Sequence, residues 1–178
     1  SDGSTNWIVH HSSLGNSKYL TLNDSVVEDT STNWLVPSAT TFALNQTFGN
    51  ANTSGRQYIA YCFHDVAGYQ KFGSYTGDGS NKSITGLGFK PDFVMIKGAT
   101  VAESWNMYDS LRGATKLVRP NTSEAESTYT DSVTSFDSDG FTLGANTYVN
   151  QNTKSYIYWA IAKNVPSNTT LANSFKTV

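Results

Sequence analysis

A decapeptide that returns within the same chain restricts the possible folds more than any other feature. Arg56-Gln57-Tyr58-Ile59-Ala60-Tyr61-Cys62-Phe63-His64-Asp65 comes back 98 positions later as Lys154-Ser155-Tyr156-Ile157-Tyr158-Trp159-Ala160-Ile161-Ala162-Lys163. Each copy has a basic residue, then Tyr-Ile, then aromatic and small side chains on both faces of an extended segment. That pattern predicts a central strand with little water on either side. At the same offset Trp7 meets Trp105, Ser12 meets Ser110, Gly15 meets Gly113, Lys18 meets Lys116, Asn23 meets Asn121 and Glu28 meets Glu126. With one residue inserted in the second copy, Phe42 and Leu44 meet Phe141 and Leu143, and the register returns at Asn52 and Asn150.

The repeat thus spans about 7–63 and about 105–161, with 64–104 expected as linking strands inside one domain of residues 1–178. A strand-like run, Lys90-Pro91-Asp92-Phe93-Val94-Met95-Ile96-Lys97, precedes Trp105, whereas only six residues precede Trp7. The first copy is therefore expected to lack its opening strands or to take them from elsewhere. Ser1 is no translational start, so the chain reads as a processed product or as the ordered part of something longer.

Strand-like runs alternate with Gly, Asn and Asp turns at Asn6–His11, Lys18–Leu22, Thr41–Leu44, Gly68–Gly79, Lys82–Leu87, Phe93–Lys97, Trp105–Tyr108, Thr115–Val118, Gly140–Leu143 and Ser155–Lys163. Pro91 suits the first position of a strand, where no ladder donor is needed. One capped helical turn is expected over Asn121–Thr128. This spacing predicts an all-β chain, an antiparallel β-sandwich of jelly-roll or lectin-like type built from two pseudo-repeats.

Charged residues are 15% of the chain against roughly 25% in an average domain, and aromatics are 13%. Ser, Thr, Asn and Gly take their place, a mixture common on secreted or particle-borne surfaces. A net charge of −2 supplies no basic field for nucleic acid or an anionic membrane. No apolar run is long enough to span a bilayer, and the N-terminus lacks the regions of a signal peptide. Cys62 is the single cysteine and is expected as a buried, inert thiol. Sequons at Asn23, Asn45, Asn52, Asn81, Asn121 and Asn168 are what an Asn-, Ser- and Thr-rich composition produces.

The Tyr58–Phe63 run, followed by Gly68-Tyr69-Gln70-Lys71-Phe72-Gly73-Ser74-Tyr75-Thr76-Gly77, resembles a family of uncharacterised repeat domains in virion proteins of marine and cyanobacterial tailed phages. The likeness continues through Trp7–Gly15, Gly88–Lys97 and Arg119-Pro120-Asn121-Thr122-Ser123. It implies a lectin-like β-sandwich in a tail-fibre or appendage protein on the virion surface. It brings no catalytic residues. Members carry a strand ahead of the first Trp, which this chain does not show.

Residue chemistry points toward binding. Sugar rings stack their apolar faces on Trp and Tyr while amides and carboxylates take the hydroxyls. Trp34, Tyr69, Tyr75, Tyr129 and Tyr148 lie in polar surroundings suited to such a platform, the alternative for each being cap or core packing. Trp7, Trp105, Trp159, Tyr58 and Tyr156 hold repeat-matched strand positions and are expected in the core. His10 and His11, with His64, are the only histidines, and adjacent strand residues point to opposite faces, against a shared metal. Asp137-Ser138-Asp139-Gly140 and Asp78-Gly79-Ser80-Asn81 are fragments of calcium loops, but turns use the same residues. Calcium at Asp137, Asp139 or Asp78 is the one metal these fragments suggest, and no other cofactor is implied.

No Gly-x-Ser-x-Gly, P-loop or His-Glu-x-x-His motif occurs, and no catalytic residue is assigned. A polysaccharide-degrading enzyme needs two opposed carboxylates, for which Asp109, Glu103, Glu124, Glu126 and Asp131 are the candidates. The reading is a non-enzymatic virion surface domain that binds host-surface polysaccharide. A structural module contacting other virion subunits, expected as a homo-oligomer, is the second reading. The tail, through Leu171, Phe175 and Val178, is a candidate edge strand or subunit contact.

Overall fold

The computed structural model describes residues 6–32, 35–44 and 51–163. The described residues form antiparallel strands, one 3-10 turn and one short α-helix. The first copy contributes β1 (Ile8–Val9), β2 (Lys18–Thr21) and β3 (Asp29–Thr30) as one three-stranded sheet, and β4 (Val36–Pro37) paired with β5 (Phe42–Ala43). Then follow β6 (Gln70–Thr76), β7 (Lys82–Thr85), β8 (Pro91–Gly98), β9 (Asn106–Asp109), β10 (Lys116–Leu117) and β11 (Ser127–Thr128). The chain closes with β12 (Val133–Asp137), β13 (Gly140–Leu143), α1 (Thr147–Asn150) and β14 (Ser155–Ala162).

The second copy of the decapeptide is β14, central in a sheet ordered β6-β14-β8-β9. Alternation decides what it buries. Tyr156, Tyr158 and Ala160 point with Val94, Ile96 and Tyr108 into a core completed by Ile84, Val133, Phe141 and Leu143 from the sheet β12-β13-β7. Phe141 meets Tyr158 edge-on at 5.5 Å, and Tyr75 stacks on Tyr156 at 5.1 Å. Burying each such ring contributes about 2 kcal/mol. Gly73 stands opposite Tyr158, and a Cβ there would lie 2.4 Å from the Tyr158 ring.

The other face of β14 is covered by the first copy. Ile157 and Trp105 pack against Leu20, with Val9, Leu14, Leu22 and Met95 around them, and the Trp105 indole donates to the Thr21 carbonyl at 2.9 Å. Lys97 is fully buried in this seam. Its ammonium donates to the carbonyls of Val26 (2.9 Å), Gly98 (2.6 Å) and Ser25 (3.4 Å), and burial lowers its pKa to about 8.

The repeat is structural as well as sequential over most of its length. Val9 pairs with Leu20 as Met107 does with Val118, and Lys18 with Thr30 as Lys116 does with Thr128. The β4-β5 register, Val36 with Ala43, reappears one position on as Ser135 with Thr142. Trp7 N–H donates to the Asn23 side chain at 2.9 Å, and Trp105 N–H to Asn121 at 3.1 Å.

Four expectations need correction. The first decapeptide forms no strand: residues 57–65 belong to no sheet, and Ile59, Tyr61 and Phe63 are 68%, 70% and 56% exposed. The physical reason is the absence of flanking strands. Among the described residues, nothing stands beside it as β6 and β8 stand beside β14. Cys62, expected buried, is exposed for the same reason, as is Trp7, while its counterpart Trp105 is buried. Within residues 64–104 lie β6, β7 and β8, which supply three strands of the second copy's core. The capped turn expected over Asn121–Thr128 is a loop ending in β11, because the sheet partner Lys116–Leu117 offers better pairing than an isolated turn.

Candidate ligand-contact site

Two of the five aromatic candidates come together at one end of the second copy. The β10-β11 hairpin, extended by Tyr129 N–H donating to the Thr115 carbonyl at 2.9 Å, presents Tyr129 alongside Arg119. Tyr148 arrives on α1, whose start is fixed by Asn146. The Asn146 side-chain oxygen accepts from Tyr148 N–H at 2.9 Å, and its amide nitrogen donates to Asp131 at 2.9 Å. The tyrosine rings meet edge-to-face with centroids 5.3 Å apart. The Arg119 guanidinium lies 4.8 Å from the Tyr148 centroid and 5.8 Å from that of Tyr129, and forms an ion pair with Glu124.

Both rings rest against the core, which holds them in place, while neither is fully buried. The hydrogen bond to Tyr129 raises the Tyr148 pKa above its ordinary value. Burial works against the Arg119 charge, but the Glu124 hydrogen bond and Tyr129 outweigh it and leave Arg119 above its usual range. Rigid aromatic surface, a forked donor and an exposed carboxylate thus converge within a few ångströms. Cation–π contact of this kind is worth about 0.5–1 kcal/mol at a partly exposed site.

The cluster belongs to the second copy alone. Thr21, Val26 and Ser31 hold the positions of Arg119, Glu124 and Tyr129 in the first copy, although the hairpin itself is reproduced. The sequence expectation missed Arg119 and Asn146. For Arg119 the signal is its mismatch with Thr21 between the copies, and for Asn146 it is an N-cap residue type two positions ahead of Tyr148.

The remaining candidates are placed elsewhere. Tyr75 is half-buried and packs against the core: its ring stacks on Tyr156, its hydroxyl donates to the Val149 carbonyl at 2.6 Å, and burial holds its pKa well above the ordinary value. Tyr69 is half-buried just before β6, with its carbonyl accepting from Ala162. Trp34 lies outside the described residues. The three calcium candidates act as local clasps. Asp78 accepts from the Ser80 N–H and the Asn150 side chain, Asp137 from Ser135 and Thr142, and Asp139 from the N–H groups of Gly86 and Gly88. Among the described residues no group of three His, Cys, Asp or Glu side chains is placed to hold a metal ion. His11 caps the short 3-10 turn Ser12–Leu14 by accepting from Ser13 N–H, burial lowers the pKa of both His10 and His11, and His64 contacts the Asp65 carbonyl.

The carboxylates proposed for hydrolysis are mostly ion-paired: Asp109 and Glu126 with Arg112, and Glu124 with Arg119. Asp131 holds Asn146. Burial raises the pKa of Glu103, with Arg119 and Lys97 opposing it. A cleft of about 420 Å³ lies between the copies, with Lys18 and Glu28 on one side and Tyr75, Thr76 and Ser155 on the other. No helix among the described residues is long and apolar enough to cross a membrane.

A family model described as a domain of unknown function (DUF7483) matches residues 1–113 and again 75–177, so that the two matches overlap along the chain. No curated protein and no solved structure matches.

Proposed function

We propose that this chain, which belongs to the DUF7483 family, is a non-enzymatic module of a virion appendage that adheres to host-surface polysaccharide through Tyr129, Tyr148, Arg119 and Glu124. The observation that carries the reading is the edge-to-face tyrosine pair with a guanidinium over both rings, on a repeat whose other copy lacks it. A sugar's C–H face would lie on the exposed ring surface while Arg119 donates to its hydroxyls and Glu124 accepts from them. Two sheets sharing one core fit a β-sandwich of jelly-roll, lectin-like topology as the scaffold. Calcium is not needed for this mode of binding.

The test is a glycan array followed by titration of the best hit. Tyr148→Ala and Arg119→Ala should each weaken binding at least about tenfold, as loss of a stacking or charged contact does, while Tyr69→Ala leaves it unchanged. Equal losses in all three variants, or no binding to any glycan, would sink the reading.

A second reading, a structural module that joins other virion subunits or copies of itself, is favoured by a different observation. The first copy leaves Trp7, Ile59, Tyr61 and Phe63 exposed in one region, where Tyr61 stacks on Trp7 at 6.4 Å. Contiguous apolar surface of this kind marks interaction sites.

A further inference from the structure

We infer that residues 59–63 are a strand-accepting edge, and that their partner is the opening segment of another copy of this same repeat, a strand with the sequence pattern of Pro91–Gly98. The inference rests on the assembly reading and names its partner. The chain itself shows what belongs beside this sequence. Where the decapeptide occurs a second time it lies between β6 and β8, with Tyr156 opposite Gly98, Ile157 opposite Lys97, Tyr158 opposite Ile96, Trp159 opposite Met95, Ala160 opposite Val94 and Ile161 opposite Phe93. The structures of the two copies agree, hairpin by hairpin, from β1 to β5 against β9 to β13. Among the described residues no strand flanks residues 59–63 as β6 and β8 flank β14.

Positions that are buried in the second copy are exposed in the first. Phe42 is 41% exposed where its counterpart Phe141 is fully buried against Tyr158, and Trp7 is 54% exposed where Trp105 is 5%. Residues 59–63 lie in no sheet, so their backbone N–H and C=O groups take part in no ladder. A segment outside any ladder, with alternating apolar side chains, binds by strand addition, in which the main chain supplies affinity and the side-chain alternation supplies register. Transferring the register of β14 and β8 predicts Ile59 opposite an incoming Lys97, Ala60 opposite Ile96 and Cys62 opposite Val94. The incoming chain runs antiparallel.

The single cysteine makes that register measurable. The probe is a synthetic peptide of the sequence 89–99, labelled with fluorescein and added to the residue 1–178 chain. Saturable anisotropy with a micromolar dissociation constant is expected, and a peptide carrying Val94→Asp and Ile96→Asp should bind at least about tenfold more weakly. In a glutathione redox buffer, a peptide with Val94→Cys should form a disulfide with Cys62 in high yield, the two thiols being oxidised as glutathione disulfide is reduced. A peptide with Lys97→Cys should not, because position 97 falls opposite Ile59. Equal crosslinking of both peptides, or no binding of the parent peptide at millimolar concentration, overturns the proposal.

An extended variant of the chain guards against an insoluble peptide. Placing the sequence of residues 66–104 directly ahead of Trp7 should slow amide exchange at Ile59–Phe63 at least about a hundredfold, and unchanged exchange there overturns the proposal. Light scattering on the unmodified chain separates this proposal from the broader assembly reading. Self-association that survives excess peptide leaves assembly standing and removes the strand-accepting role. A monomer that binds no peptide removes both.

Discussion

Tyr58–Phe63 and Tyr156–Ile161 hold the same place in the repeat and share their leading Tyr-Ile, yet one lies largely exposed outside any sheet and the other is laddered between β6 and β8. What flanks the two segments differs more than their apolar patterns do. A β-strand has no internal hydrogen bonds, so its stability comes from neighbours on both edges and a covered face. β14 has β6 and β8 on its edges, one sheet against its inner face and the first copy against its outer face. The earlier segment has Tyr58 bound to the Thr53 N–H and Phe63 leaning on Trp159 and Phe72, and no ladder. Local sequence proposes a strand, and tertiary context decides it.

Matched substitutions should separate the two environments most widely at the leading tyrosine. Tyr156→Ala removes a fully buried ring stacked on Tyr75, with its hydroxyl lost to the Thr147 carbonyl, and is expected to cost about 3–5 kcal/mol in urea unfolding. Tyr58→Ala should cost under about 1 kcal/mol, the range for surface positions. Costs of similar size at the two positions would mean that residues 57–63 are packed in solution.

Lys97 gives the next largest effect, because it lies on β8, a strand without a counterpart among the described residues of the first copy. Its folded pKa of about 8 lies below the ordinary 10.5. Below pH 8 the ammonium is present in both states and the fold carries the full cost of burying it. Above pH 8 the unfolded chain holds the proton more tightly, so stability rises with pH, by about 2 kcal/mol between pH 7 and 9.5. Above pH 10 the buried tyrosines Tyr75 and Tyr108, whose pKa values are raised, reverse the trend. Lys97→Met should abolish the rise, as measured by thermal unfolding across that window. A wild-type profile as flat as the variant's would show that the three carbonyls hold the ammonium charged throughout.

These contrasts also explain which parts of the structure are legible in the sequence. Positions fixed by local chemistry are readable: the glycine turn at Gly15 and Gly113, both at positive φ, Pro91 opening β8, and the alternation in Gln70–Thr76. Residues whose role depends on what lies across the fold are not. Tyr75 looks like a surface aromatic in a Gly- and Ser-rich run, yet those small neighbours are what let it and Tyr158 close on each other, Gly73 above all. Tyr129 and Tyr148 each stand out in the sequence, but their meeting over Arg119 needs the hairpin and the Asn146 cap together. Cys62 departs from expectation because apolar neighbours in sequence imply burial only when a sheet exists to bury them.

The smallest expected effect lies where the copies agree. Lys18 pairs with Glu28 as Lys116 does with Glu126, across the same hairpin at equivalent positions. Glu28 is the less exposed carboxylate and makes a direct hydrogen bond, whereas Glu126 is 3.8 Å from its lysine and shares Arg112. Exposed pairs are worth about 0–1 kcal/mol, and desolvation of one partner moves a pair toward the upper end. Glu28→Gln should therefore cost about 1 kcal/mol and Glu126→Gln a few tenths, both in low salt. Raising the salt to about 1 M should shrink the Glu126→Gln effect first, since that carboxylate is better solvated. The reverse order would place the Lys18–Glu28 pair in open solvent, and with it the edge of the cleft between the two copies.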